Sequence, residues 1–119
     1  MARRLNQTLT ITSGTPINLA TGKTTAAPGP VYATRYFIQM QHGGSGIGKV
    51  YDGVPASMAN PTFANYLTAE LAAATSQAPG GSFEDWDKSG DRGGIDVNEV
   101  WIDGGNTNDT VLTSYVPKG

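Results

Sequence analysis

The chain has 119 residues, a net charge of −2 from eight Lys and Arg against ten Asp and Glu, sixteen Gly and no Cys. That balance excludes the basic footprint of a nucleic-acid binder, and the lack of Cys excludes a disulfide framework and any thiolate metal site. The length is that of one domain able to bury roughly two-thirds of its unfolded surface, and no apolar run approaches the roughly 18 residues that a membrane-spanning helix needs.

The first six residues, Met1-Ala-Arg-Arg-Leu-Asn6, place two arginines ahead of no hydrophobic stretch. They predict an N-terminal arm over 1–6, not a signal peptide, on a protein made in a cytoplasm. Charged residues are only 15% of the chain. So low a charge predicts a surface partly covered by partners, and the many Gly and Thr fit short strands joined by turns.

From Leu5 to Thr12 the sequence alternates, with Leu5, Gln7, Leu9 and Ile11 on one face and Asn6, Thr8, Thr10 and Thr12 on the other. That period predicts a half-buried strand. Ser13-Gly-Thr-Pro16 breaks it, Ile17 and Leu19 resume it briefly, and Thr21–Pro30 is a loop rich in Gly and Pro. Val31–Gln41 carries apolar side chains on both faces, which predicts a central strand. A Gly-rich connection, His42–Gly48, then reads as a turn into a short returning strand at Lys49–Asp52. Pro61–Ser76 supports two readings: Phe63, Leu67 and Leu71 recur at helical spacing in an Ala-rich segment, while Leu67, Ala69, Leu71 and Ala73 alternate as a strand. Pro79-Gly-Gly81 turns the chain into a further strand at Ser82–Trp86, and Asp87–Gly94 is a polar loop. Two β-prone runs, Val97–Asp103 and Thr110–Val116, flank Gly104–Asp109 and predict a closing hairpin. On a regular strand, Trp101 shares a face with Val97, Glu99 and Asp103, opposite Val100 and Ile102.

Few segments suggest chemistry. Gly43–Gly48 with Lys49 matches phosphate-loop spacing, but Val50 stands where a Ser or Thr would bind magnesium, and no helix can start at Val50–Pro55. Asp85, Asp87, Ser89 and Asp91 have the alternate oxygen ligands of the first half of a calcium loop, yet Asp96 and Arg92 depart from that pattern. An acidic turn held by Asx-type bonds from Asp87 and Asp91 explains them as well. His42 is the sole histidine and has no evident orienting partner. Neither Glu84 with Asp85 nor Asp96 with Glu99 is spaced to put two carboxylates on one strand face. No catalytic residue, cofactor or metal is therefore expected. Trp86 and Trp101 read as core or interface anchors, and Trp101, sharing a face with two carboxylates, predicts an interface or a covering loop.

Taken together, Val31–Met40, Val50-Tyr-Asp-Gly53, Ala69–Leu71 with Ala78–Gly81, and Ile95–Val97, Val100–Gly104, Asp109–Val111 and Ser114-Tyr115 resemble tailed-bacteriophage virion proteins, in particular the small capsid decoration, or cement, proteins. The resemblance covers most of 5–117 as a pattern of strands and turns. It implies an all-β antiparallel sandwich or jelly-roll in one domain over 7–117, with 66–73 as a strand. It further implies a non-enzymatic homo-oligomer, often a trimer, that is made in the host cytoplasm, sits on the virion surface and bridges major capsid subunits without binding nucleic acid or membrane. Arg3, Arg4 and Leu5 in the arm, with Trp86 and Trp101, are the expected contacts. A tail or neck component and a carbohydrate-binding sandwich using the two tryptophans are the alternatives.

Overall fold

The computed structural model describes residues 5–41, 44–53, 67–87 and 93–118. The strands are β1 (Leu5–Thr10), β2 (Ile17–Asn18), β3 (Tyr32–Met40), β4 (Gly48–Asp52), β5 (Leu67–Leu71), β6 (Ser82–Trp86), β7 (Ile95–Asp96), β8 (Val100–Gly104) and β9 (Thr110–Pro117), with a 3-10 turn at Val97–Glu99. They form two sheets, one in the order β1-β9-β3-β6 with β7 also on β3, the other β2-β8-β4-β5. Every pairing is antiparallel. The fold is thus the expected all-β sandwich. Its pairings nest: β1 with β9, β2 with β8, β3 with β6 and β4 with β5.

The core follows from the alternation. Tyr36, Ile38 and Met40 of β3 lie opposite Tyr115, Thr113 and Val111 of β9, and all six are buried. From the second sheet, Val50, Val100 and Ile102 join the same cluster at 0% exposure. Burying each such apolar side chain contributes on the order of 1.5–3 kcal/mol before the cost of ordering the chain. β3 is central as expected, with β9 on one side and β6 and β7 on the other.

Three expectations change. β8 and β9 do not form a hairpin: β8 pairs with β2 and β4, whereas β9 pairs with β1 and β3. The chain crosses from sheet to sheet between them. The physical reason lies in β8, all five of whose residues are buried. Such a strand needs neighbours on both edges and cover on both faces, which one hairpin partner cannot supply. The Gly-rich segment before β4 is likewise a crossing, since β3 and β4 belong to different sheets. Leu67–Leu71 is a strand, as the resemblance implies, and its pairing with β4 overrides the competing local helix propensity. The remaining residues of that helical reading before Leu67 lie outside the described residues. Val97–Glu99 is a 3-10 turn, not the start of the strand. It sends Val97, at 0% exposure, into the core with Val100 and Ile102. At the start of β1, Leu5 and Asn6 pair with Tyr115 and Ser114.

The two crossings hold each other. Asp109 accepts hydrogen bonds from the backbone N–H of Gly46 (2.7 Å) and Ser45 (3.3 Å), and Gly105 N–H donates to Ile47 O (2.9 Å). Asn108 adopts φ 75°, a left-handed conformation that Asn tolerates better than most residues. A side chain at Gly46 would lie 2.7 Å from Asn106 N, so the close approach of the two loops requires glycine there.

Candidate interaction surface

In the first sheet, residues that alternate with the core side chains form an outer face, in which Ser114 alone is buried. Its rows, read across β1, β9, β3 and β6, are Asn6–Ser114–Phe37–Glu84 and Thr8–Leu112–Gln39–Ser82, with Val116–Arg35–Trp86 beside them. Trp86 is 47% exposed and Tyr32, at the start of β3, is 50% exposed. Phe37, Leu112 and Val116 are half-buried on this face. Arg35 and Glu84 bring one charge of each sign. Between the strands lies a shallow depression lined by Arg35, Phe37, Glu84, Ser114 and Val116, which encloses no space for even a water molecule. A face of this kind suits flat contact with a macromolecule, in which an exposed Trp and Arg carry much of the energy, and not the engulfing of a small ligand.

The outer face of the second sheet differs. Trp101 is 5% exposed and packs with Tyr51 and Ala26, so the covering-loop expectation is the one observed. The loop between β2 and β3 lies over it, tied down by two buried amides. Asn98 accepts from Ala27 N–H (2.8 Å) and donates to Ala27 O (3.1 Å) and Gly29 O (2.9 Å). Asn18 donates to Asn98 O (2.9 Å) and accepts from the N–H of Ala20 (3.0 Å) and Thr21 (3.1 Å). Beneath this cover, the Tyr51 hydroxyl has its pKa raised by burial, with Asp103 and Glu70 adding to the effect. Sequence reading passed over Asn18 and Asn98. The available signal was an amide inside an apolar β run, Ile17-Asn-Leu19 and Val97-Asn98, where a buried polar group must be satisfied.

The remaining acidic candidates serve the backbone. Asp87 accepts from Gly94 N–H (3.1 Å), closing the loop after β6, and Asp85 accepts from Trp86 N–H (2.9 Å). Ser89 and Asp91, the other two calcium candidates, lie outside the described residues, as do His42, Arg3 and Arg4. Among the described residues no group of three or more His, Asp or Glu is placed to hold a metal ion. Asp96 caps the 3-10 turn, accepting from Asn98 N–H and Val31 N–H at 3.0 Å each. Asp103 accepts from Gly14 N–H at 3.2 Å. Ser45 and Gly46 of the phosphate-loop-like segment spend their N–H groups on Asp109, and the segment leads into a strand. Leu5, the remaining expected contact, is 41% exposed in β1.

Glu99 has its pKa raised by burial, with Asp96 and Asp52 adding like-charge repulsion. A carboxyl whose folded pKa is raised stabilises the fold below its unfolded pKa, and that contribution is lost as pH rises through the folded value. Glu99→Gln is therefore expected to raise the Tm at neutral pH, with the gain vanishing below about pH 4. Thermal unfolding from acid to neutral pH checks this; an equal gain at every pH would contradict it.

Comparison with known proteins finds no matching family model and no similar curated protein.

Proposed function

We propose that the chain is a structural virion protein that decorates the outside of a bacteriophage capsid, bridging major capsid subunits as a homo-oligomer. The observation that carries this is the outer face of the first sheet, where Trp86, Phe37, Leu112 and Val116 stand beside Arg35 and Glu84. The sequence resemblance supports the same role, and so does the nested pairing, which is the order of an eight-stranded jelly-roll once β7 is set aside. Jelly-rolls are common among viral capsid and lectin domains. A protein that binds only the assembled lattice stabilises it by mass action, and repetition over the shell makes modest contacts collectively strong.

Co-sedimentation of the purified chain with mature capsids that lack it tests the proposal. Wild-type protein is expected to pellet with capsids. Trp86→Ala is expected to weaken the affinity by roughly 30-fold, as for a central aromatic anchor worth about 2 kcal/mol, while its Tm stays unchanged. No binding by a well-folded sample would contradict the proposal, as would equal binding by the variant. The exposed ring of Trp86 also favours a second reading, a carbohydrate-binding module with Trp86 and not the covered Trp101 as its platform. Hits on a glycan array, lost in Trp86→Ala, would select it. Binding to tails or necks and not to capsids would place the protein elsewhere on the particle.

A further inference from the structure

We propose that β1 is a self-pairing edge, through which two copies of this chain join about a two-fold axis into one continuous sheet. Among the described residues β1 pairs only with β9, and no other described strand takes up the main-chain donors and acceptors of its second edge. Exposed sheet edges are normally blunted by charge, proline, bulges or shortness. The other three edges follow that rule: β6 carries Glu84 and Asp85, β5 carries Glu70 opposite a register shift at Val50/Tyr51, and β2 has two residues. β1 does not. Leu-Asn-Gln-Thr-Leu-Thr has no charge and no proline, and pairs with β9 in unbroken register.

The hydrogen-bond phase restricts how a second copy would seat. Just past β1, Ile11 N–H donates to Asp109 O and Ile11 O accepts from Asn108 N–H, both at 2.8 Å. Main-chain groups alternate in direction along an antiparallel strand, so Leu5, Gln7 and Leu9 turn theirs to β9, while Asn6, Thr8 and Thr10 turn theirs outwards. A two-fold axis normal to the sheet through Thr8 pairs Thr8 with Thr8 and Asn6 with Thr10 of the second copy, making about six main-chain hydrogen bonds. Thr–Thr and Thr–Asn pairs then meet on the outer face, a favourable cross-strand set without opposed charges. Leu5, 41% exposed, comes to lie beside the second copy's stretch from Leu9 to Ile11. An identical chain is the occupant because this edge has no charge, proline or bulge against its own copy, and of the registers the phase allows, the one centred on Thr8 uses all three outward residues and opposes no like charges. The pairing is isologous and closes on itself as a dimer, in place of the trimer implied by the resemblance. It stands or falls separately from capsid binding, since the test uses the purified chain alone.

Sedimentation equilibrium of the wild-type chain is expected to give a dimer. Thr8→Lys sets two ammonium groups face to face at the axis and is expected to give a folded monomer, its Tm lower than wild type and no longer dependent on protein concentration. The chain has no cysteine, so single-cysteine variants report the register. Thr8→Cys is expected to oxidise to a covalent dimer at least about tenfold faster than Thr10→Cys, because only the former brings two Cα atoms within disulfide reach. A wild-type monomer or trimer would overturn the inference. So would a dimer that survives Thr8→Lys, or equal cross-linking at the two positions.

Discussion

Replacing Asn98 with Ala is expected to destabilise the fold by about 3 kcal/mol, among the largest effects of any single side-chain truncation here. The amide is 5% exposed and satisfies three main-chain groups of Ala27 and Gly29. Truncation leaves those groups in a partly dry setting with no partner, and an unsatisfied buried polar group costs more than a satisfied one contributes. The loop they belong to covers Trp101 and Tyr51, so its release also exposes apolar area. In a domain of this size the loss corresponds to a fall in Tm on the order of 15 °C. Chemical denaturation of Asn98→Ala checks this. A loss below about 1 kcal/mol would mean that water replaces the amide without penalty.

Gly80→Ala is the second large effect, an expected loss of about 2–3 kcal/mol from overpacking. Gly80 lies where the end of β3 meets the segment after β5. Its N–H donates to Met40 O (2.8 Å), and Gly81 N–H donates to Ala72 O (3.0 Å). A Cβ on Gly80 would collide with Ala72 O and stand 2.8 Å from Met40 Cβ and 2.9 Å from Ala74 N. Two of these obstacles are backbone, so relief requires one sheet to shift against the other. Gly29→Ala is the control: nothing lies within 4 Å of its Cβ position, and its stability is expected to stay level or rise slightly. Equal thermal unfolding of the two variants would contradict the close approach seen at Gly80.

The strands were legible because their signals are local. The alternation of Leu5–Ile11 and the two-sided apolar pattern of Val31–Gln41 gave β1 and β3 nearly to their ends. The sheet to which each strand belongs was not legible. Gly104–Asp109 has the composition of a hairpin turn, yet what decides its course is Asp109 binding Gly46 N–H and Asn108 binding Ile11 O, contacts with segments far away in sequence. Leu67–Leu71 shows the same limit, since its state is set by β4 alongside it. Of the expected contacts, the two tryptophans looked alike in sequence. Only the path of the loop through Ala26, fixed by Asn18 and Asn98, makes one a covered residue and leaves the other on the surface.

The outer face of the first sheet is the surface proposed to meet a capsid. Electron microscopy of capsids reconstituted with the purified chain tests it most directly. Density is expected at regular lattice positions, with Trp86, Phe37 and Arg35 turned towards the shell. Capsids that stay bare, or density in which that face points to solvent, would contradict it.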